Sequence, residues 1–395
     1  MSADRVDVVI AGAGLVGLAL APALARSGLR VALIDRAPIA APESDPQTWD
    51  SRIYAISPGS ATFLRSLGAW QELATDRIAP VERMEIAGDA GKTVEFSAYE
   101  LGERALAWIV EERALRAALL PTVFNGGVEV ISGVTFSSLS WSTDEGTLVF
   151  TESNGALREL SARLIVGADG SRSWVRAAAG LAAEPRSYGQ TAVVANFTCE
   201  LPHHGVARQW FRPDGGVLAW LPLPGRRMSM VWSAPVLLAD ELMALGPAAL
   251  AARVEDAGAA AWGALASITP AAAFPLVFLK LPATIAHRLV LVGDAAHGIH
   301  PLAGQGVNLG FGDVRELAQI LTDRGPVQDP GAPLLLDRYA RRRAEPVLAM
   351  QSVTDGLARL FGAPTPWLRT LRNAGMAAVE RLPVLKRALA QPALR

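Results

Sequence analysis

Residues 291–308, LVGDAAHGIHPLAGQGVN, gather one Asp, two His three apart and four Gly into eighteen positions. Three kinds of chemistry use such residues: a metal site, a His/Asp catalytic pair, or a backbone surface for another molecule. Gly298 between the histidines and Pro301 after them argue for loop rather than helix, and no third ligand cluster accompanies them, so no metal is expected. Hydrogen-bonded support is the expected role of His297 and His300. A Ser/His/Asp hydrolase would need a GxSxG elbow, which the chain lacks. The third option remains. Asp294 directly follows an apolar strand, which puts its carboxylate at the carboxyl edge of a sheet, where α/β folds bind ligands. Gly304, Gln305 and Gly306 would then present backbone N–H groups at the start of the next helix.

A second cluster is Gly12-Ala13-Gly14-Leu15-Val16-Gly17. Gly12 permits a tight turn, Gly14 lets a pyrophosphate touch backbone, and Gly17 lets helix and strand pack closely. Asp35 comes eighteen residues after Gly17, where an acid accepts from a ribose hydroxyl. The pattern predicts a dinucleotide site without separating NAD from FAD. A third stretch, Gly167–Ser173 (GADGSRS), also follows a buried strand; taken alone it reads as an ordinary Asp-Gly turn.

These sites need elements to hold them. Val6–Ala11, a helix-like stretch to Ser27 and Val31–Ile34 form a β-α-β unit, with Pro22 expected to kink the helix. Val8–Ala25 has no charge in eighteen residues, but the acidic start and the glycine spacing favour the β-α-β reading over a membrane span. Arg104–Leu120 reads as a helix leading into the strand Val128–Ile131. Leu164–Ala168 and Leu289–Val292 are further parallel strands. From Thr191 to Ser233, short β-prone runs broken by Pro and Gly suggest an antiparallel layer. Val307, Phe311, Val314, Leu317 and Leu321 recur at helical spacing. After a linker at 325–333 the rest is helical. The expected class is α/β: a Rossmann-type, mostly parallel sheet, an antiparallel-sheet substrate domain and C-terminal helices. The expected division is a discontinuous nucleotide domain (1–75, 100–180, 280–325), a substrate domain (76–99, 181–279) and a helical region (326–395).

Composition narrows the function. The net charge of −1 over 395 residues gives no footprint for nucleic acid. The single cysteine, Cys199, excludes an intrachain disulfide and a multi-Cys zinc site, reads as an inert buried thiol, and fits a cytoplasmic setting. Residues 336–395 hold eleven Arg/Lys against four Asp/Glu, a net +7. An Arg-rich face beside apolar stripes suits an anionic membrane surface or a partner of a biosynthetic complex, and equally a solvated basic face.

The three motifs together resemble the FAD-dependent aromatic hydroxylases, the single-component flavoprotein monooxygenases. WDSRIYAISPGSATFLRSLGAW, WIVEERALRAAL, GGVLAWLPLPGRRMSMVWS, IHPLAGQGVNLGFGDV, TDGLARLF and LRNAGM resemble the bacterial hydroxylases of ubiquinone biosynthesis, in order and over nearly the whole chain. Glu112 stands where that pattern leads one to expect Asn, and Asp35 where Glu is commoner. The resemblance implies that Gly12, Ala13, Gly14, Val16 and Gly17 hold the FAD pyrophosphate, with Asp35 and Arg36 at the adenosine ribose. It implies that Arg52 and Arg113 contact the flavin nucleotide and that Asp169 serves FAD. Asp294 would bind the ribityl chain, and Pro301, Gly304, Gln305, Gly306, Val307 and Asn308 would pass beside the isoalloxazine. The implied reaction is hydroxylation of a polyprenylated phenol or quinol through a flavin C4a-hydroperoxide. It would use O2 and either NAD(P)H or a protein electron donor, with no residue assigned as chemical catalyst. Trp210, Trp220, Leu221 and Trp232 are expected to wall the substrate pocket, although each Trp also fits a plain core. The rival readings are a same-fold flavoenzyme with another aromatic or lipid substrate, and a non-catalytic flavin-binding scaffold.

Overall fold

The computed structural model describes residues 4–394 apart from 43, 44, 46, 90, 182, 213–215 and 363–365. Gly215, in the GGVLAWLPL run, and the basic Arg395 lie outside the described residues.

The first sheet has eight strands. Its main path runs Ile285–Ala286, Leu289–Leu291, Leu157–Gly167, Asp4–Ala11, Val31–Asp35, Glu129–Ser132. From Leu289–Leu291 onward every neighbouring pair on this path is parallel. Both faces are covered, which is why VVIA, LIV and LVL read as continuous apolar runs. One face packs on the helices Leu15–Ala25, Glu112–Phe124 and Gly306–Thr322. The other packs on the hairpin Thr135–Trp141/Gly146–Thr151 and the short helix Trp174–Ala178. Pro22 stays inside the first helix, one turn from its end.

Register decides where the site lies. Ala11 pairs with Gly167, and Gly167 with Leu291. The residues that open all three motifs therefore leave the sheet from one row, at its carboxyl edge.

The second sheet also has eight strands. Leu265–Ser267, Arg186–Cys199, Arg227–Pro235, Val217–Leu223, Val206–Phe211, Arg83–Ala87 and Thr93–Ser97 follow in order, and Ala272–Phe278 also pairs with Arg186–Cys199. It is antiparallel as expected, except that Val206–Phe211 runs parallel to Arg83–Ala87. A three-stranded antiparallel sheet, Ile53–Ile56, Ala107–Glu111 and Ala79–Val81, lies between the two. Here the sequence reading of 104–120 as one helix is corrected. Ala107–Glu111 is the middle strand of this small sheet, and the helix begins at Glu112. Ile109 and Val110 are fully buried, so pairing with two distant strands overrides the local helical spacing. Three helices, Pro333–Gly362, Pro366–Arg381 and Pro383–Leu394, end the chain.

Candidate functional site

The glycine cradle divides its labour sharply. Gly12 has φ +111°, and a Cβ there would stand 2.4 Å from the Ala168 carbonyl oxygen. A Cβ on Gly17 would stand 1.9 Å from the Gly12 carbonyl oxygen. These two glycines let the first helix, the first strand and the 167–169 turn close on one another. Gly14 is different: it is exposed, and no atom lies within 4 Å of its would-be Cβ. It is the N-cap of the helix, so the open space lies over unpaired N–H groups and the positive end of the helix dipole. Ala13 N donates to Asp35 Oδ2 (2.5 Å), and Ala37 N donates to Asp35 Oδ1 (2.7 Å). Arg116 Nη1 donates to the Ala13 carbonyl (2.7 Å). The carboxylate of Asp35 is thus fixed at the cradle with lone pairs to spare, while Arg36 is exposed. Val16 packs its side chain on Gly293 and Gly310, where a Cβ would come within 3.1 and 2.7 Å. It joins the cradle to the third motif.

Asp169 caps the helix Trp174–Ala178. Its Oδ2 accepts from Trp174 N (2.7 Å) and Val175 N (3.1 Å). Arg176 of that helix donates to the Ala295 carbonyl (2.9 Å), so the second motif steadies the third.

Asp294 sits in the 3-10 turn Gly293–Ala295. Its side chain is exposed, yet desolvation pushes its carboxyl above the usual range, opposed by the charges of His297 and Arg52. A side chain both open and desolvated is on the floor of a cleft. Arg52 faces it from the rim. Its guanidinium is paired with Glu112 (2.8 Å) and lies over the rings of Tyr54 (5.9 Å) and Phe274 (5.5 Å). Glu112 is itself raised by burial, against the pull of Arg52.

Arg113 is placed differently from Arg52. Its guanidinium holds Thr48 (Nη1 to Oγ1, 2.8 Å) and pairs with Glu111 (3.3 Å). Glu111 is 1% exposed and also binds Arg77 (2.7 Å) and the backbone N–H of Asp50 (2.6 Å). The pair fixes the 48–52 segment from which Arg52 projects. Glu111, the last residue of the strand Ala107–Glu111, was not singled out in the sequence.

The helix Gly306–Thr322 points its N-terminus at the same cleft. Its first internal bond is Leu309 N to Gln305 O (3.0 Å), so Gly306, Val307 and Asn308 keep N–H groups without a partner in the helix. No atom lies within 4 Å of a Cβ on Gly306, while Gly304 has φ +63° and crowds Ala55. The Asn308 amide is committed: Nδ2 donates to Ala55 O (2.8 Å) and Oδ1 accepts from Ser57 N (3.0 Å). Gln305 is buried beside it. Asn308 thus ties the helix start to the strand Ile53–Ile56, and only its backbone is available to the cleft.

Three further residues missed in the sequence, Asp313, Arg343 and Gln190, hold this loop. Asp313, fully enclosed, accepts from Gly293 N (2.8 Å), His297 Nε2 (2.6 Å) and Arg343 Nε (2.7 Å). Burial would raise its carboxyl; His297 and Arg343 outweigh that and hold it below the usual range. His300 Nε2 bonds Gln190 Oε1 (2.9 Å). Both histidines of the opening stretch are therefore occupied by protein partners.

The expected aromatic wall is corrected. Trp220 and Trp232 lie in the core behind the second sheet, with Val193, Phe197, Leu242 and Val254, and Trp210 packs against it. The helices Val236–Ala244 and Pro247–Ala257 cover that face. Side chains alternate along a strand, so the cleft-facing row of Arg186–Cys199 is Gln190, Ala192, Val194 and Asn196. Asn196 Nδ2 donates to Asp50 O (2.8 Å). Leu221 is on this side, against Trp49 and Ala55.

An open cradle over helix N–H groups, an acid fixed at the second strand's end, a desolvated acid on the cleft floor and a second helix N-terminus fit a long dinucleotide with a polar ring edge. Comparison with known proteins agrees. A family model described as FAD binding domain matches residues 5–354. Ubiquinone hydroxylase UbiL of Rhodospirillum rubrum is 35% identical over 394 residues, covering 98% of this chain and 89% of the relative. The 3-demethoxyubiquinol 3-hydroxylase of Escherichia coli is 35% identical, with 98% of each chain covered. Among solved structures, p-nitrophenol 4-monooxygenase PnpA of Pseudomonas putida shares the fold, with TM-score 0.78, 18% identity and 99% of each chain covered. The chain thus belongs to the FAD-binding-domain family of flavoprotein hydroxylases.

Proposed function

We propose that the protein hydroxylates the aromatic ring of a polyprenylated phenol or quinol on the route to ubiquinone. One observation carries this reading. Relatives named for ubiquinone hydroxylation match 98% of the chain at 35% identity, so the likeness spans the nucleotide cradle, the second sheet and the C-terminal helices together.

Bound FAD would supply the redox chemistry, taking electrons from a reduced nicotinamide or a protein donor and directing O2 to the ring. The chain supplies position and dryness. Gly12, Ala13, Gly14, Val16 and Gly17 shape the pyrophosphate cradle; Asp35, with Arg36 beside it, takes the ribose. Asp294 takes the ribityl hydroxyls, and Arg52 neutralises charge at the rim. Arg113 and Asp169 act through the segments they hold. The N–H groups of Gly306, Val307 and Asn308, behind the turn Pro301–Gln305, stabilise negative charge at the flavin's polar edge. Ala192, Val194 and Leu221 exclude water from the reacting ring. In this reading the first sheet and its helices form the nucleotide domain and the second sheet the substrate domain.

The test is substrate-dependent oxygen uptake by the purified, FAD-loaded protein, with mass spectrometry of the product from a short-tailed prenylphenol. A gain of one oxygen on the ring supports the reading. Oxygen uptake indifferent to every prenylphenol and quinol removes it in favour of another substrate; no flavin reduction at all favours a scaffold.

Among the described residues no helix is long and apolar enough to cross a membrane. The last helix and its approach expose Leu382 and Val384 beside Arg381 and Arg387. We read this as a peripheral contact with an anionic bilayer, which would deliver a prenylated substrate. Co-sedimentation with anionic but not neutral liposomes is the expected result; absence from both pellets removes this part.

A further inference from the structure

We propose that His300 is a positioning residue for the reaction, latching the Pro301 loop to the second sheet through Gln190. The inference deepens the hydroxylase reading and rests on it only for its effect on turnover.

Three observations carry it. First, the strand Arg186–Cys199 grips both lips of the cleft. Gln190 holds His300 on one lip (2.9 Å), and Asn196 holds the Asp50 carbonyl on the other (2.8 Å). Both belong to the same face of the strand, and six residues of strand span about 20 Å. The strand therefore sets the distance from the Arg52 rim to the Pro301 loop.

Second, the loop has a complementary main-chain tie. Leu279 and Gly298 exchange backbone hydrogen bonds (3.3 and 3.0 Å), and Gln351 of the long C-terminal helix donates to the Leu279 carbonyl (2.7 Å). That bridge fixes the loop at Gly298. The His300 latch fixes it two residues later, at the last residue before Pro301.

Third, the imidazole is built to be rigid and neutral. It is fully buried, edge-on to the Tyr188 ring at 4.9 Å and 86°. Tyr188 is flanked in turn by Phe278 and the Arg186 guanidinium. Burial pushes the imidazole pKa down to about 4, against the pull of Asp355. At neutral pH the ring is uncharged, and with Gln190 presenting its carbonyl oxygen, Nε2 carries the proton. A neutral donor fixes the loop without placing a cation beside an electron-rich flavin.

A displacement of about 1 Å at a reacting centre costs on the order of a hundredfold in rate, and a loosened loop also admits water. The latch should therefore control the fraction of oxygen delivered to substrate rather than lost as peroxide.

The test compares His300→Ala, Gln190→Ala, the double variant and His300→Gln, in which the amide nitrogen takes the place of Nε2. Hydrogen exchange of the 298–302 amides is measured on the FAD-loaded protein without substrate. Exchange should rise about tenfold or more in both alanine variants, no further in the double variant, and return towards wild type in His300→Gln. Single turnover of dithionite-reduced enzyme with O2 and a short-tailed prenylphenol should shift from hydroxylated product to peroxide in the same order. FAD affinity should stay within about twofold. Unchanged loop exchange in His300→Ala, or additive effects in the double variant, would overturn the latch. If wild type hydroxylates no prenylphenol, the functional reading fails while the exchange measurement still decides the latch.

Discussion

The cradle at Gly12–Gly17 and the segment 291–313 meet at one sheet edge but are held there by opposite means. The cradle is made by missing side chains: Gly12 and Gly17 allow backbone to touch backbone where a Cβ would stand 2.4 or 1.9 Å from a carbonyl oxygen. The 291–313 segment is made by side-chain hydrogen bonds. Its own Asn308 and Asp313, with Arg343, Gln190 and Gln351 from afar, place it. The first design is local and steric, so its faults are repulsive. The second is distributed and polar, so its faults are unpaired groups. Each makes a different demand on mutation.

The largest expected effect lies in the cradle. Gly17→Ala should lose upward of about 3 kcal/mol of stability, because backbone must move to admit the methyl group. Gly14→Ala meets no atom and has φ −69°, so it should leave the melting temperature of the FAD-free protein nearly unchanged. Its methyl group would occupy ligand space, so FAD affinity should fall about tenfold or more. Calorimetry without FAD and a flavin titration separate the two. Equal stability losses at both glycines would break the comparison.

The next effect belongs to the polar segment. Asp313→Asn strands the Arg343 guanidinium in a buried site, and removing one partner of such a pair costs about 3–5 kcal/mol. Asp313→Leu combined with Arg343→Met should recover much of that loss, since the buried guanidinium is removed together with its partner. FAD affinity should fall in the double variant, because Gly293 N there loses its acceptor and the Asp294 turn loosens. A double variant no more stable than Asp313→Asn would show that the segment is held by shape, as the cradle is.

This contrast also explains what was legible. Gly12, Gly14, Gly17 and Asp35 are read from spacing because their geometry is set within one β-α-β unit. The parallel sheet follows from apolar runs buried on both faces. Glu111, Asp313, Arg343 and Gln190 gave no such signal, since, apart from the Glu111–Arg113 pair, their partners are 16 to 110 residues away in the chain. The strand at 107–111 was misread for the same reason: both of its neighbours are remote. The tryptophans at 210, 220 and 232 lie on one sheet face by alternation. Which face is buried under helices depends on Val236–Ala257, and that choice is not written in the strands.

A smaller effect comes from pH. His300 is held near pKa 4 in the folded chain, below its ordinary 6.5. A lowered histidine pKa means that the unfolded chain takes up the proton first. Stability is therefore complete above pH 6.5 and falls as the pH drops from 6.5 towards 4. By pH 5 the loss attributable to His300 should be about 2 kcal/mol. His300→Gln should flatten this part of the profile while the cradle variants keep it. A profile of Gly14→Ala that loses the slope would mean that the acid sensitivity does not arise in the 291–313 segment.

The smallest effect sharpens the corrected wall of the cleft. Trp232 is fully buried behind the second sheet, under the guanidinium groups of Arg212 (5.1 Å) and Arg253 (5.5 Å). Trp232→Phe should cost about 1–2 kcal/mol of stability through lost packing and weaker cation–π contacts. It should leave FAD affinity and KM for a prenylphenol unchanged, because the strand backbone stands between this ring and the cleft. Leu221→Ala, on the other face, should cost a similar amount of stability but raise KM or peroxide release. The two residues stand on neighbouring strands, Val217–Leu223 and Arg227–Pro235, on opposite faces of one sheet, and their variants differ little in folding energy. A KM that moves with Trp232 and not with Leu221 would turn the sheet around, and with it the row from Gln190 to Asn196 that faces the cleft.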